Sequence, residues 1–290
     1  MTRRFALLDP DYWRGEGEAE GAMLRSVFFV LVTASVAMLA LDLSSMVQRA
    51  GDPAIDMERT GPVEMEPPKD SDQERPYFPK AAPAAPGTRP PEMPGLVDRP
   101  SPTQLASRMT FTVDGKGNLA AVGRIEPGTA ADFDRMLQDK PGTIRKVYLH
   151  SPGGSVSDAI AMARAIRKAS IATIVPENAY CASSCPLLFA GGVEREAGRK
   201  VWIGVHQVFT LPSETGTLHE GLANAQRISA ECQEHLVAMG VDPRAWILAM
   251  KTAKHRLYVF TQKELTDLKL VTKSDAPPAP PAKASASKNG

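Results

Sequence analysis

The chain has 290 residues, is 43% hydrophobic and carries a net charge of +1. That length holds one or two domains with a core, and the dispersed Lys and Arg, never clustered among aromatics, give no reason to expect a nucleic-acid partner. Three cysteines exclude a disulfide-built scaffold, and no histidine pair stands beside them at ligand spacing, so no metal is expected.

Residues 1–25 form a polar leader in which Arg3, Arg4, Arg14 and Arg25 precede an uncharged apolar run from Ser26 to Leu41. That run is slightly short of the roughly 20 residues that cross a bilayer. Arg25 can snorkel, however, and Leu43 to Val47 can lie in the far interface, so residues 26–47 read as one transmembrane anchor. A cleaved signal peptide is the other reading. The leader is long and acid-containing for that role, and small-x-small triplets occur only inside the apolar core. The arginines before the run, against Arg49 and Arg59 after it, predict a cytoplasmic N-terminus, with the rest of the chain on the periplasmic side of the inner membrane.

Residues 48–104 hold more than half of the 25 prolines, with many acids and few β-branched residues. Such a composition predicts a disordered tether, in which Tyr77 and Phe78 either dock somewhere or, as is commoner for isolated aromatics in such linkers, stay solvated. A folded domain is expected over residues 105–273, and a disordered Pro/Ala/Lys tail over 274–290. In the domain, Phe111 to Val113 and Leu119 to Ile125 read as strands around the Asp114 to Gly117 turn. Thr129 is placed as the N-cap of a helix to about Lys140.

The next stretch carries the chemistry. Lys146 to His150 is a β-prone run that stops at Ser151-Pro152-Gly153-Gly154, where two glycines let bare backbone N–H groups face a ligand. From Ser155 the apolar positions Val156, Ile160, Ala163 and Ile166 give a helix, so the turn opens onto a positive helix end. Ile171 to Val175 reads as a buried parallel strand, followed by a turn at Pro176 to Asn178. A helix is expected over Ala182 to Ala190, small and apolar around Ser183 and Ser184, with Cys181 and Cys185 bracketing the serines and Pro186 tolerated in its first turn. Val201 to Val205 is a third strand, with His206 at its end. Residues 211–219 read as a polar lid, and helices are expected from Glu220 to about Met239 and from Pro243 to about Lys254. Leu257 to Phe260 is a last strand, and Thr261 with Glu264 makes a capping box for a last helix. The β-then-α alternation predicts a parallel sheet flanked by helices, with the three motifs converging where its strands end.

The Ser-Pro-Gly-Gly turn, the Ala-Ser pair opening a helix and the strand-borne His206-Gln207 together resemble the Clp protease family, within the Clp/crotonase fold. The resemblance covers roughly residues 111–271 and is closest to exported, membrane-anchored bacterial Clp-like proteins. It implies an α/β fold with Ser183 as nucleophile, His206 as general base, and the N–H groups of Gly154 and Ser184 as an oxyanion pair. Gly153 and Ser155 would flank the substrate. It further implies a serine peptidase without a cofactor, a peptide or unfolded protein as substrate, and a homo-oligomer. Ser184 is the rival nucleophile, because the register of the Ser-Ser pair is ambiguous by one. His150 reads as a structural histidine. At the position of the family aspartate stands Leu257, so Asp242 or Asp267 supplies the third member, the site works as a dyad, or the module binds peptides without cleaving them. Cys181 and Cys185 flank the serines closely enough to permit a disulfide.

Overall fold

The structure, a computed structural model, describes residues 18–50, 55–69, 71–209 and 218–273. The chain divides into two compact units, residues 1–54 and 55–290. Most of the leader, nearly all of the predicted lid and the tail from Ser274 lie outside the described residues.

In the first unit, one helix, α1 (Glu18–Ala50), contains the apolar run. Its Arg25–Ser44 stretch is 20 residues long with a mean hydropathy of 2.2, and none of it is buried. At about 1.5 Å per residue that stretch matches a hydrocarbon core of about 30 Å, so it is long and apolar enough to cross a membrane.

The second unit opens with β1 (Val63–Glu64), β2 (Glu74–Pro76), β3 (Pro83–Ala84) and α2 (Pro102–Ala106), then β4 (Thr110–Val113), β5 (Asn118–Val122) and α3 (Thr129–Asp139). There follow β6 (Lys146–His150), α4 (Val156–Lys168), β7 (Ala172–Val175), β8 (Tyr180–Ala182), α5 (Cys185–Phe189), β9 (Arg195–Ala197) and β10 (Trp202–Val205). The unit closes with α6 (Leu218–Ala238), α7 (Arg244–Lys251), β11 (Arg256–Val259) and α8 (Gln262–Asp267).

The fold is mixed α/β with parallel sheets flanked by helices, but the parallel strands are divided between two sheets. One runs β4-β5-β6-β7-β9 and is parallel except for the β4–β5 hairpin; the other runs β2-β11-β10-β8. The division arises at β8. Asn178 takes a left-handed φ of 63°, a conformation Asn tolerates, and the chain leaves the first sheet there. The Tyr180 N–H then donates to His150 Nδ1 at 3.0 Å, and β8 pairs with β10 instead. That bond gives His150 a structural task, since a buried imidazole nitrogen accepting from backbone holds the neutral ring in place.

Most predicted elements lie within a few residues of their expected bounds, and the capping box of Thr261 and Glu264 is present. The cap of α3 differs. Gly128, at φ 87°, is the N-cap, and the orphan N–H of Ala130 is taken by Asp158 Oδ1 from the first turn of α4 at 2.9 Å. A tertiary carboxylate has replaced the local hydroxyl. Behind the five-stranded sheet, the buried Arg195 guanidinium donates to the carbonyls of Gly192, Met239, Lys269 and Leu270. These bonds fix the end of α6 and the segment after α8 against β9.

Residues 55–103 are not the structureless tether their composition predicts. Tyr77, Ala81 and Met93 are buried, and β2 pairs antiparallel with β11 in the register Glu74↔Tyr258, Arg75↔Leu257. A segment of this composition cannot form a core of its own, but this one docks on a core already built. Its prolines lose little backbone freedom on ordering, because φ is already fixed. Pro76 also falls at an outward-facing position. The Tyr77 N–H donates to His255 O and the Val259 N–H to Gln73 O, so the missing proline N–H points away from the sheet.

Candidate functional site

The site forms where β6, β8 and β10 end. After β6, the turn needs glycine twice: Gly153 has φ 90° and Gly154 has φ 141°. A Cβ on Gly154 would lie 2.1 Å from Ile125 O, and one on Gly153 would lie 2.4 Å from Ala182 O and 2.7 Å from the Ser183 Cβ. The glycine turn is therefore packed directly against the serine pair.

After β8, Ser183 adopts φ 62°, a left-handed conformation costing a non-glycine residue on the order of 1 kcal/mol. The surroundings impose it. The Ser183 N–H donates to Gly204 O at 3.0 Å, and Cys181 and Cys185 on either side are joined by a disulfide with their Cα atoms 5.1 Å apart. At this elbow Ser183 faces a cavity, whereas the Ser184 side chain is buried and its hydroxyl has no partner among the described residues. The two serines are thus distinguished by backbone geometry.

After β10, His206 is buried. Its Nδ1 lies 2.7 Å from the carbonyl oxygen of Gln207. A carbonyl only accepts, so in the neutral ring Nδ1 carries the proton and Nε2 presents a lone pair. That Nε2 is buried without a hydrogen-bond partner among the described residues, so no bond joins it to Ser183. Burial pulls the imidazole down to about 4, opposed by the bond to the Gln207 carbonyl.

Neither alternative carboxylate reaches His206. Asp242 receives hydrogen bonds from the guanidinium and N–H of Arg244, and Asp267 pairs with Lys263. Leu257 is buried against Tyr77, Trp202 and Val259, so its position belongs to packing. The Gln207 carbonyl fixes the tautomer instead.

Gly153, Gly154, Ser155, Ser183, Ser184 and His206 all line one cavity of about 300 Å³. Their free groups differ. The Gly153 N–H donates to Ser151 Oγ at 3.1 Å. The Ser155 N–H donates to Ile125 O at 2.6 Å, and its hydroxyl caps α4 and bonds Asp158. Those two residues therefore have little left to offer a ligand. Among the described residues, the N–H groups of Gly154 and Ser184 have no acceptor, which leaves two unbonded backbone donors on residues that line the cavity with Ser183.

Sequence reasoning missed Tyr77. Its ring lies on the His206 ring with centroids 4.3 Å apart, and its hydroxyl donates to Pro152 O at 2.9 Å. Burial pushes the phenol up to about 12, with the Ser183 hydroxyl beside it acting in the opposite direction. One sequence signal pointed to it: Tyr77 and Phe78 are the only aromatics in the proline-rich stretch. Phe209 approaches the other part of the histidine, with centroids 5.7 Å apart. A second cavity, of about 490 Å³, is lined mainly by prolines and alanines of residues 60–102 and by Trp202. His150 reaches it, but the bond from Tyr180 occupies its Nδ1, so the lining holds no nucleophile with a free base.

No protein-family model matches the chain, and no curated protein matches it.

Proposed function

We propose that the folded unit is a serine hydrolase of the Clp/crotonase type, acting on peptide carbonyls with Ser183 as nucleophile and His206 as general base. The observation that carries this reading is the elbow at Ser183. A strained serine, two unbonded N–H groups and an imidazole with a free Nε2 share one cavity, and none of these is explained by core packing. Strained backbone and orphaned polar atoms concentrate at functional sites.

In this mechanism the Ser183 hydroxyl attacks the carbonyl carbon, and its proton passes to His206 Nε2. The N–H groups of Gly154 and Ser184 hold the oxyanion. The leaving amine takes the proton from His206, and water, deprotonated by the same nitrogen, cleaves the acyl-serine to regenerate the hydroxyl. The Gln207 carbonyl supplies the tautomer that an aspartate would otherwise enforce, but not its negative charge. Loss of the aspartate in a triad lowers kcat by about 10⁴, so slow turnover is expected. No cofactor takes part. The same reading makes α1 an inner-membrane anchor, puts the hydrolase on the periplasmic side and makes the assembly a homo-oligomer.

Among the described residues His206 Nδ1 meets a backbone carbonyl and not a carboxylate, which favours one second reading, a peptide-binding module that does not cleave. Incubating the full-length chain with short peptides, with Ser183→Ala as the blank, separates the two. Cleavage above the blank supports the hydrolase, and binding with no cleavage supports the module.

A further inference from the structure

We infer that residues 73–79 restrain this site by covering His206 and lying in the groove of its proper partner, an extended peptide carrying an aromatic side chain. The inference rests on the proposed site and names the class of ligand that enters it.

The segment is bound as such a peptide would be. It adds one antiparallel strand to the edge of β11, with Glu74, Arg75 and Pro76 opposite Tyr258, Leu257 and Arg256. Main-chain bonds at both ends, Tyr77 N–H to His255 O at 2.9 Å and Val259 N–H to Gln73 O at 3.0 Å, extend the pairing beyond the strand. This is strand addition to an exposed edge, where backbone bonds give affinity and side-chain pockets give specificity. Here the pocket takes Tyr77. The ring is 4% exposed, stacks on His206 and anchors its hydroxyl on Pro152 O in the glycine turn.

Contacts outside the groove are modest by comparison. Glu74 pairs with Arg256 at 3.3 Å, where both side chains are more than a third exposed, and such surface pairs contribute little. The Arg75 guanidinium instead braces the segment's own preceding turn, donating to the carbonyls of Glu66, Pro67 and Asp72. The segment is thus held by edge pairing and the Tyr77 anchor, both of which a second peptide can replace, with buried Pro79 and Phe78 under the Arg59 guanidinium at 5.2 Å adding to its hold. While it is in place the Nε2 of His206 stays unbonded and Tyr77 covers the ring.

Two measurements on the full-length chain test this. The first is the rate at which a fluorophosphonate labels Ser183. Tyr77→Ala is expected to label about tenfold faster or more than the unaltered chain, because the open form no longer competes with the strap. Tyr77→Phe, which keeps the ring but loses the bond to Pro152, is expected to fall between. The second is binding of a fluorescent peptide with the sequence of residues 73–79. It should bind the Arg75→Ala/Tyr77→Ala chain and not the unaltered chain, and it should lose at least tenfold in affinity when its own tyrosine is alanine.

Peptide binding with no labelling in any variant would retain the groove and remove the hydrolase reading. Labelling of the unaltered chain that Tyr77→Ala leaves unchanged or slows, together with equal or absent peptide binding in both chains, would overturn the strap and leave the hydrolase standing.

Discussion

The imidazole of His206 donates from Nδ1 to the carbonyl of Gln207, its own neighbour in the chain, at 2.7 Å. A backbone oxygen therefore occupies the place behind the base that a carboxylate takes in a triad. The base is a group with its tautomer set and its charge unsupported, and its environment holds it near 4. That combination gives a histidine that is neutral at pH 7, with its lone pair available, but only weakly basic.

The serine pair separates by substitution. Ser183→Ala should abolish labelling while leaving the fold intact, and it removes the strained elbow's only functional atom. Ser184→Ala should leave labelling within a few fold and stability unchanged or slightly higher, since it deletes a buried hydroxyl without a partner among the described residues. Thermal unfolding and probe labelling of the two variants, run side by side, check this.

Gly154→Ala places a methyl group 2.1 Å from Ile125 O at φ 141°. The turn must shift and carry one oxyanion N–H with it, so labelling should fall by about 10² to 10³. Gly142→Ala is the control. It also has positive φ, 68°, but meets nothing within 4 Å, so it should lose a little stability and no labelling.

Removing the disulfide with Cys181→Ala/Cys185→Ala should lower stability by about 2 kcal/mol, the value for so short a loop. Labelling should fall with it, because the bond brackets the residue that must hold φ 62°. A midpoint of chemical unfolding and a labelling rate measure the two effects separately.

Acid should unfold the domain by way of its histidines. Burial pulls His206 and His150 from the ordinary 6.5 to about 4, and it lowers His235 as well. Between about pH 6.5 and 4 the unfolded chain binds more protons than the folded one, so stability falls as pH falls. The contribution is complete above 6.5 and is on the order of a few kcal/mol for each fully buried ring. His150→Asn, which can still accept from the Tyr180 N–H, should flatten the dependence of the urea midpoint on pH. An unchanged profile would contradict the assignment.

Much of the site was legible because its signals are local. Gly153 and Gly154 are needed by the backbone at that spot, and strand-end placement of His206 follows from the β-branched run before it, whereas Ser183 was singled out by the family resemblance. The same locality explains the misses. The Gln207 carbonyl has no side-chain signature, so the search for a third member turned to Asp242 and Asp267, each already held by its own cation. The Thr129 cap yielded to Asp158, a contact made across two helices. Tyr77 reaches His206 from far along the chain, through a segment whose prolines argue against order when it is considered apart from the surface it covers.

The most direct test of the central claim is to map the fluorophosphonate adduct by mass spectrometry on the unaltered, Tyr77→Ala, Ser183→Ala and His206→Ala chains. The account predicts one adduct, on Ser183, strongest in Tyr77→Ala and lost in both Ser183→Ala and His206→Ala. An adduct on Ser184, or none on any residue of the Tyr77→Ala chain, would contradict it.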